Sequence, residues 1–138
     1  MIDGEAFTGP EAAFVEAQRV AHLATVRSDG TPHVISVCTV LDLNRLVFAS
    51  DKDARKVRNL QGNPNVAVCF DEYTEVWSAL KQVIVFGEAY LVKSGPEFER
   101  DRGLLYDTYP QYESDAPIEE DSSVIVEVRA DRVVSSGL

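Results

Sequence analysis

Short apolar runs bounded by turn residues dominate the pattern of hydrophobic and polar positions along the chain. Runs of this length that are rich in β-branched residues are typical of β-strands. Six are predicted, over residues 20–27, 32–41, 45–50, 65–70, 80–93 and 124–129. Asp29-Gly30 between the first two runs is a strong hairpin signal, and Gly87 inside the fifth indicates a bulge. The pattern therefore predicts a mainly β fold, an antiparallel barrel or sandwich with short helical additions.

Two amphipathic helices are predicted outside the sheet, over residues 10–19 and 96–106. Each begins with a proline, which suits the first turn of a helix. Residues 107–123, after the second helix, are rich in acidic side chains and are predicted to form a solvated polar loop. Since no linker or repeat interrupts the 138 residues, a single domain over residues 1–138 is expected.

A third, shorter helix is predicted directly after the strand 45–50. Asp51 or Asp53 is expected to be its N-cap, and Gly62 and Pro64 supply the stop signals. Apolar side chains three positions apart inside this helix can face the core, whereas its remaining polar side chains are left for the other side. The core-facing pair is Val57 and Leu60, and the outward set is Arg55, Lys56, Arg58 and Asn59.

This helix carries a local positive charge, in contrast to the negative net charge of the chain. Four of the thirteen basic residues fall between 52 and 58, in a chain whose net charge is -10. The start of a helix offers unpaired N–H groups, so that adjacent cations complete a site for a phosphate. The alternative is a solvated helix whose cations pair with Asp51 and Asp53. The residues alone leave both interpretations open.

Composition narrows the class of protein. The 45% hydrophobic content is typical of a folded domain, and no apolar run reaches the length of a membrane span. So acidic a chain would repel nucleic acid over most of its surface. Cys38 and Cys69 lie in apolar runs, which indicates free thiols in a reducing compartment, and no metal site is expected. Without a signal-peptide pattern, a cytoplasmic protein with no membrane or nucleic-acid partner is predicted.

Five motifs follow one another within residues 18–92. They are Ala24-Thr25-Val26, Asp29-Gly30-Thr31-Pro32-His33, Leu46-Val47-Phe48, Arg55-Lys56-Val57-Arg58-Asn59-Leu60 and Asn63-Pro64-Asn65-Val66. In this order they resemble the pyridoxamine 5′-phosphate oxidase-like FMN-binding split β-barrels. Two later segments, around Trp77 and at Tyr109-Pro110-Gln111-Tyr112, are similar to a branch that uses the deazaflavin factor 420.

The resemblance implies a six-stranded split β-barrel that forms a homodimer, with two cofactors in the grooves between the subunits. Arg55 and Lys56 match the pair that holds the flavin phosphate, and Ser50 matches a hydroxyl residue at the end of the preceding strand. The deazaflavin-type members keep a Lys-x-Arg-Asn motif, which is matched by Lys56, Arg58 and Asn59.

In this family the second strand lies along the ring of the cofactor, largely through backbone groups. The corresponding residues are His33, Val34, Ile35, Ser36 and Val37. A hydrogen-bonded core position for His33 is at least as well supported as contact with the cofactor. Trp77 is predicted either to cover the ring or to pack at the interface.

The resemblance implies a flavin- or deazaflavin-dependent oxidoreductase, a hydride-transfer reductase of an unidentified small molecule. Factor 420 or FMN would perform the chemistry, and therefore no residue is assigned as catalytic. The alternatives are a non-catalytic flavin- or haem-type binding protein and an FMN oxidase of pyridoxamine phosphate. True oxidases carry an arginine and a lysine on the second strand, where this chain has Ile35 and Val40.

Overall fold

The computed structural model describes residues 6–138. Its helices are α1 (Gly9–Ala17), α2 (Arg55–Gly62), α3 (Gly95–Thr108) and α4 (Gln111–Asp115). Its strands are β1 (Ala21–Val26), β2 (Pro32–Val37), β3 (Val40–Asp42), β4 (Arg45–Asp51), β5 (Asn65–Glu72), β6 (Lys81–Val92) and β7 (Ser123–Ser136). A single 3-10 turn, Trp77–Ala79, lies between β5 and β6.

The strands form one antiparallel sheet in the order β2-β1-β5-β6-β7-β4-β3, which confirms the mainly β class. The sheet has seven strands, one more than predicted, because the apolar run 32–41 divides in two. Its first part pairs with β1, and its second part pairs with β4 at the opposite edge of the sheet. Cys38 and Thr39 lie outside both ladders, since one continuous strand cannot occupy both edges.

The predicted bulge in β6 is confirmed. The pairing of β6 with β7 shifts register between Phe86 and Gly87. A Cβ atom at Gly87 would lie 2.0 Å from the carbonyl oxygen of Arg129, so that only glycine allows the two backbones to approach this closely.

Side chains from the sheet fill two apolar clusters. The larger cluster joins α1 and α2 to the strands and includes Phe48 and Phe70. The smaller one lies under α3, where Phe98 and Leu105 pack on β4 and β7. Leu104, beside Leu105 on α3, is only half-buried. None of the helices within residues 6–138 has the length and apolar character needed to cross a membrane.

The two longer helices lie close to their predicted positions. Thr8 and Glu11 form a capping box, which begins α1 at Gly9. The segment 107–123 is not a loop throughout, because α3 continues to Thr108 and α4 follows it. Packing between aromatic rings accounts for this helical structure. The rings of Tyr106 on α3 and Tyr112 on α4 stack with 6.3 Å between their centroids. The capping box was predictable from Thr8 and Glu11, whereas α4 depends on aromatic contacts that the polar sequence hides.

Candidate functional site

The N-terminus of α2 has no side-chain cap. Ala54 is the N-cap residue, and neither of the predicted caps, Asp51 and Asp53, bonds to the first turn. The carbonyl of Ala54 accepts from the N–H groups of Val57 and Arg58, at 3.1 and 3.2 Å. The N–H groups at the first two helical positions precede these and have no partner inside a helix. They remain available to an anion.

Three cations surround this helix start without pairing to an acid. No carboxylate within residues 6–138 lies within 4.0 Å of Arg55, Lys56 or Arg58. The alternative from the sequence, ion pairs with Asp51 and Asp53, is therefore not what the structure has. Burial lowers the pKa of Lys56, and the nearby charge of Asp51 only partly opposes this. A half-buried ammonium with no partner is an unfavourable arrangement that a bound anion would relieve.

The opposite side of α2 attaches it to the core. Val57 and Leu60 are buried, as predicted. Asn59 was expected to face outward, but it is only 4% exposed. Its side-chain nitrogen donates to the hydroxyl of Thr25 on β1, at 3.0 Å. That prediction was wrong because a buried hydroxyl on β1 satisfies an amide at this helix position. Asn59 thus anchors the helix from within, and its assignment as a cofactor-binding residue stays a prediction.

Strand β2 presents an open edge. It is the first strand of the sheet order, so one side of its backbone has no neighbouring strand among the described residues. Most of its side chains are exposed, and Val34 is 64% exposed. Ile35 and Ser36 are exposed as well, whereas Val37 is buried. The open backbone groups fit the expectation that this strand presents N–H and C=O groups to a planar ring.

His33 connects the strand to the helix through Thr25. His33 lies directly opposite Thr25 in the β1–β2 ladder, and Thr25 in turn accepts the hydrogen bond from Asn59. The His33 side chain is half-buried, and its Nδ1 atom finds no hydrogen-bond partner within residues 6–138. The alternative of a hydrogen-bonded core histidine therefore finds no support at Nδ1, and the half-buried side chain is not a full member of the core.

Ser50 lies close to the helix start along the chain. It is buried near the end of β4, and its hydroxyl donates to the carbonyl of Asp51 at 2.9 Å. A hydroxyl oxygen that donates once can still accept. The structure therefore groups Ser50, Arg55, Lys56 and Arg58 at one end of the sheet, with His33 joined to α2 through the contacts above.

Trp77 lies at the other end of the sheet. The β5–β6 ladder begins after α2 with the pair Asn65 and Glu88 and ends with the pair Glu72 and Lys81. Trp77 lies in the connection between Glu72 and Lys81. The eight residues of β5 span about 23 Å. Within one protomer Trp77 therefore does not join the cations of α2. Its indole is 73% exposed and donates to the hydroxyl of Tyr73, at 3.3 Å.

Sequence reasoning missed a cleft beside α2. It has a volume of about 330 Å³ and is lined by both basic and acidic side chains together with smaller ones: Lys52, Asp53, Val57, Gln61, Lys93, Glu120, Ser123 and Val124. Lys93 is distant in sequence and reaches the cleft because β6 and β4 both pair with β7. The strand register, which the apolar pattern does not determine, was the missing signal.

A second cavity, of about 300 Å³, opens at the end of β2 and is mostly apolar. Cys38, Tyr109 and Tyr112 line it, with Gln111 and Asp115 among the polar residues. The Tyr109 hydroxyl lies 3.1 Å from the carbonyl of Thr39, which holds this wall against the β2–β3 connection. Burial raises the pKa of Tyr112 to about 12, so its phenol stays protonated at neutral pH. Cys38 and Cys69 are free thiols, and both are half-buried.

Known proteins share the fold of this chain. The sequence profile of the family described as Pyridoxamine 5′-phosphate oxidase matches residues 8–136. None of the curated proteins compared with the chain matches it. Among solved structures, an F420 reductase is 27% identical, with a TM-score of 0.71, and the match covers 88% of this chain and 94% of that one.

Two further solved structures share the fold at lower identity. A FAD-binding protein from Mesorhizobium loti is 20% identical, with a TM-score of 0.76 and coverage of 94% of both chains. The haem storage protein HutZ from Vibrio cholerae is 18% identical, with a TM-score of 0.78, and the match covers 91% of this chain and 92% of that chain.

Proposed function

Because the chain belongs to the pyridoxamine 5′-phosphate oxidase family, we propose that it is a flavin- or deazaflavin-dependent oxidoreductase that reduces a small molecule. The observation that carries the proposal is the start of α2. Three cations without acidic partners within residues 6–138 surround an uncapped helix N-terminus, in a chain of net charge -10. A phosphoryl group is the ligand that this arrangement suits best.

The residues of the proposed site form two groups, one that binds the phosphate of the cofactor and one that contacts its ring. Arg55 and Lys56 hold the phosphate by charge, Arg58 adds a third cation, and the hydroxyl of Ser50 contributes a hydrogen bond. The open backbone of β2 from His33 to Val37 orients the ring system. Bound flavin or deazaflavin supplies hydride transfer, and the chain supplies orientation and exclusion of water.

The site is proposed to be completed by a second copy of the chain. Val34 on β2 and Trp77 beyond β5 are both apolar and highly exposed. A homodimer would cover such surface and would bring the Trp77 end of one subunit within reach of the partner's cofactor groove. The F420 reductase and the FAD-binding protein among the similar structures support a cofactor of the flavin class.

Factor 420 is the cofactor we favour over FMN. Ile35 and Val40 occupy positions where the oxidases are expected to have an arginine and a lysine, and this chain offers no cation there. Val40 also lies on β3 rather than β2. Oxidation of pyridoxamine phosphate is for the same reason the less favoured activity.

The test is a cofactor titration of the wild type and of the double variant Arg55→Ala with Lys56→Ala. Each charge-assisted contact is worth about 1.5–3 kcal/mol. The double variant should therefore raise the Kd for factor 420 at least about 100-fold. Its melting temperature should stay close to that of the wild type, because Arg55 is exposed and neither side chain is in an ion pair within residues 6–138.

The matched control removes the same charge elsewhere. Arg129 and Arg132 on β7 are exposed and lie over the rings of Tyr90 and Phe86. The double variant Arg129→Ala with Arg132→Ala should keep the wild-type affinity. If both double variants bind the cofactor equally well, the phosphate site is not at α2.

A binding protein without catalysis is the second candidate, supported by the haem storage protein among the similar structures. Parallel titrations with haem, FMN and factor 420 distinguish the oxidoreductase from the binding protein. Tight binding of haem alone would favour storage or sensing. Binding of factor 420 without hydride transfer to any tested acceptor would leave a cofactor-binding protein.

A further inference from the structure

A group of charged side chains lies between α3 and the sheet, away from the α2 site. Asp101 on α3 is 0% exposed, and Glu127 on β7 is 1% exposed. Arg45 on β4 lies between them, with Nη1 2.6 Å from Glu127 Oε2 and Nη2 3.8 Å from Asp101 Oδ1. These contacts attach the middle of α3 to β4 and β7, which are neighbouring strands inside the sheet.

The surrounding groups leave the cluster with an excess of negative charge. The groups on α3 are Glu97, Arg100 and Asp101, and those on the sheet are Asp42, Arg45 and Glu127. Next to Glu127 on the same face lie Tyr90, Glu88 and Arg129. Four carboxylates thus face two guanidinium groups within the cluster, while Glu88 and Arg129 balance each other outside it. A buried excess of charge requires compensation.

Two buried carboxylate oxygens of the cluster show where hydrogen bonds are missing. Asp101 Oδ2 has no hydrogen-bond partner within residues 6–138, and Glu127 Oε2, although it lies 2.6 Å from Nη1 of Arg45, likewise makes no well-directed hydrogen bond there. Carboxylate oxygens of Asp101, Glu97 and Glu127 all lie within 4.8 Å of one another. Two ionised carboxylates have no proton to donate, so no hydrogen bond can form between them. When one of them is protonated, its O–H group donates to the other.

We propose that Asp101 and Glu127 share one proton, and that this proton fastens α3 to β4 and β7 as a pH-sensitive clamp. Asp101 carries the proton and donates to Glu127, which Arg45 keeps ionised. The protonated pair then lowers the excess of negative charge and satisfies the orphaned oxygen of Asp101. The shared proton gives Asp101 and Glu127 a hydrogen bond that two ionised carboxylates cannot form.

The surroundings of Asp101 favour its protonated form. Burial, followed by the hydrogen bond to Glu127 and the charge of Glu127, raises the pKa of Asp101 from 3.8 to about 7. Folding therefore takes up a proton between these two values, and stability falls as the pH rises through that window. Above pH 7 the attachment of α3 is weakened. Because Tyr109 follows α3 directly, the wall of the apolar cavity beside β2 is weakened with it.

The experiment compares Asp101→Asn with the wild type in thermal melts from pH 5 to pH 9. The amide is neutral at every pH and still donates to Glu127. The melting temperature of the wild type should fall by several degrees relative to that of Asp101→Asn as the pH rises towards 8. Asp107→Asn is the matched control, since Asp107 is an exposed acid on the same helix and should keep the wild-type pH dependence.

Carboxyl NMR of the wild type gives a second measurement that needs no variant. One aspartate carboxyl should titrate near neutral pH, and α3 amides should exchange faster above this midpoint while those of α1 do not. Aspartates that all titrate below pH 5 would overturn the proposal. A rise in the melting temperature with millimolar Mg²⁺ that Asp101→Asn abolishes would also overturn it, because the carboxylates would then hold a cation and not a proton.

Discussion

The start of α2 and the cluster beneath α3 use charge in opposite ways. At α2 the cations of Arg55 and Lys56 have no acid within 4.0 Å among residues 6–138. Beneath α3, by contrast, Arg45 contacts acids from four different positions, Asp42, Glu97, Asp101 and Glu127. Both regions lie beside β4, which begins at Arg45 and reaches the α2 segment after Asp51.

The difference separates charges that serve stability from charges left for a ligand. Arg45 is enclosed by acids, so its removal would leave buried carboxylates without compensation. The α2 cations form no ion pair within residues 6–138, and the burial of Lys56 disfavours its charge in the free protein. A natural protein keeps such a cost where function requires it. Substitutions in the two regions should therefore differ in their effects on the free energy of unfolding and on cofactor affinity.

The largest expected effect is that of Arg45→Ala. This change leaves Glu127 and Asp101 buried without their shared cation, and breaking a buried ion pair in this way costs about 3–5 kcal/mol. We expect a loss of this size in the free energy of unfolding, measured by urea denaturation at pH 7.

The control is Arg58→Ala, which removes an exposed arginine of α2 that has no acidic partner within residues 6–138. Its free energy of unfolding should stay within about 0.5 kcal/mol of the wild-type value. If both variants lost the same stability, the contrast between the two regions would be mistaken.

A smaller effect is expected at Asn59, which lies on the same helix as the free cations but points inward. Asn59→Ala leaves the buried hydroxyl of Thr25 without its donor, which costs about 1–3 kcal/mol. Thr25→Val and the double variant complete a double-mutant cycle, whose coupling energy reports the hydrogen bond itself.

A measurement of cofactor affinity gives a second prediction for Asn59. Because Asn59 is buried, Asn59→Ala should change the affinity for factor 420 much less than the double variant of Arg55 and Lys56 does. An equal loss of affinity, with the fold intact, would restore Asn59 as a contact of the ligand, as the Lys-x-Arg-Asn motif implied.

The sequence predicted the α2 site better than the α3 cluster for a simple reason. Arg55, Lys56 and Arg58 are neighbours along the chain, so that one helix suffices to bring them together. Arg45, Asp101 and Glu127 meet only when α3 packs on a particular register of β4 and β7, which local patterns do not fix.

The errors have the same origin. The apolar run 32–41 was predicted as one strand because nothing local shows that Cys38 and Thr39 leave the ladder. Asn59 was placed outside because it is about 200° around the helix from Val57. That argument ignores β1, which packs against this side of α2 and offers Thr25 as a partner.

The smallest predicted effect has opposite signs for stability and for binding. Burial lowers the pKa of Lys56, which means that the folded state disfavours the charged ammonium. The folded protein holds fewer protons than the unfolded chain between that lowered pKa and 10.5, and its stability rises with pH in this window. At pH 7 the charge is therefore a net cost, and Lys56→Met should stabilise the free protein by about 0.5 kcal/mol.

The same variant should bind factor 420 more weakly, since it lacks one of the two cations assigned to the phosphate. Lys52→Met is the matched control, because it makes the same chemical change at an exposed position of the same segment and should give no gain in stability. Thermal melts with and without cofactor measure both effects at once. If Lys56→Met melted below the wild type in the absence of cofactor, Lys56 would be a structural residue, and the division between the two regions would fail at that position.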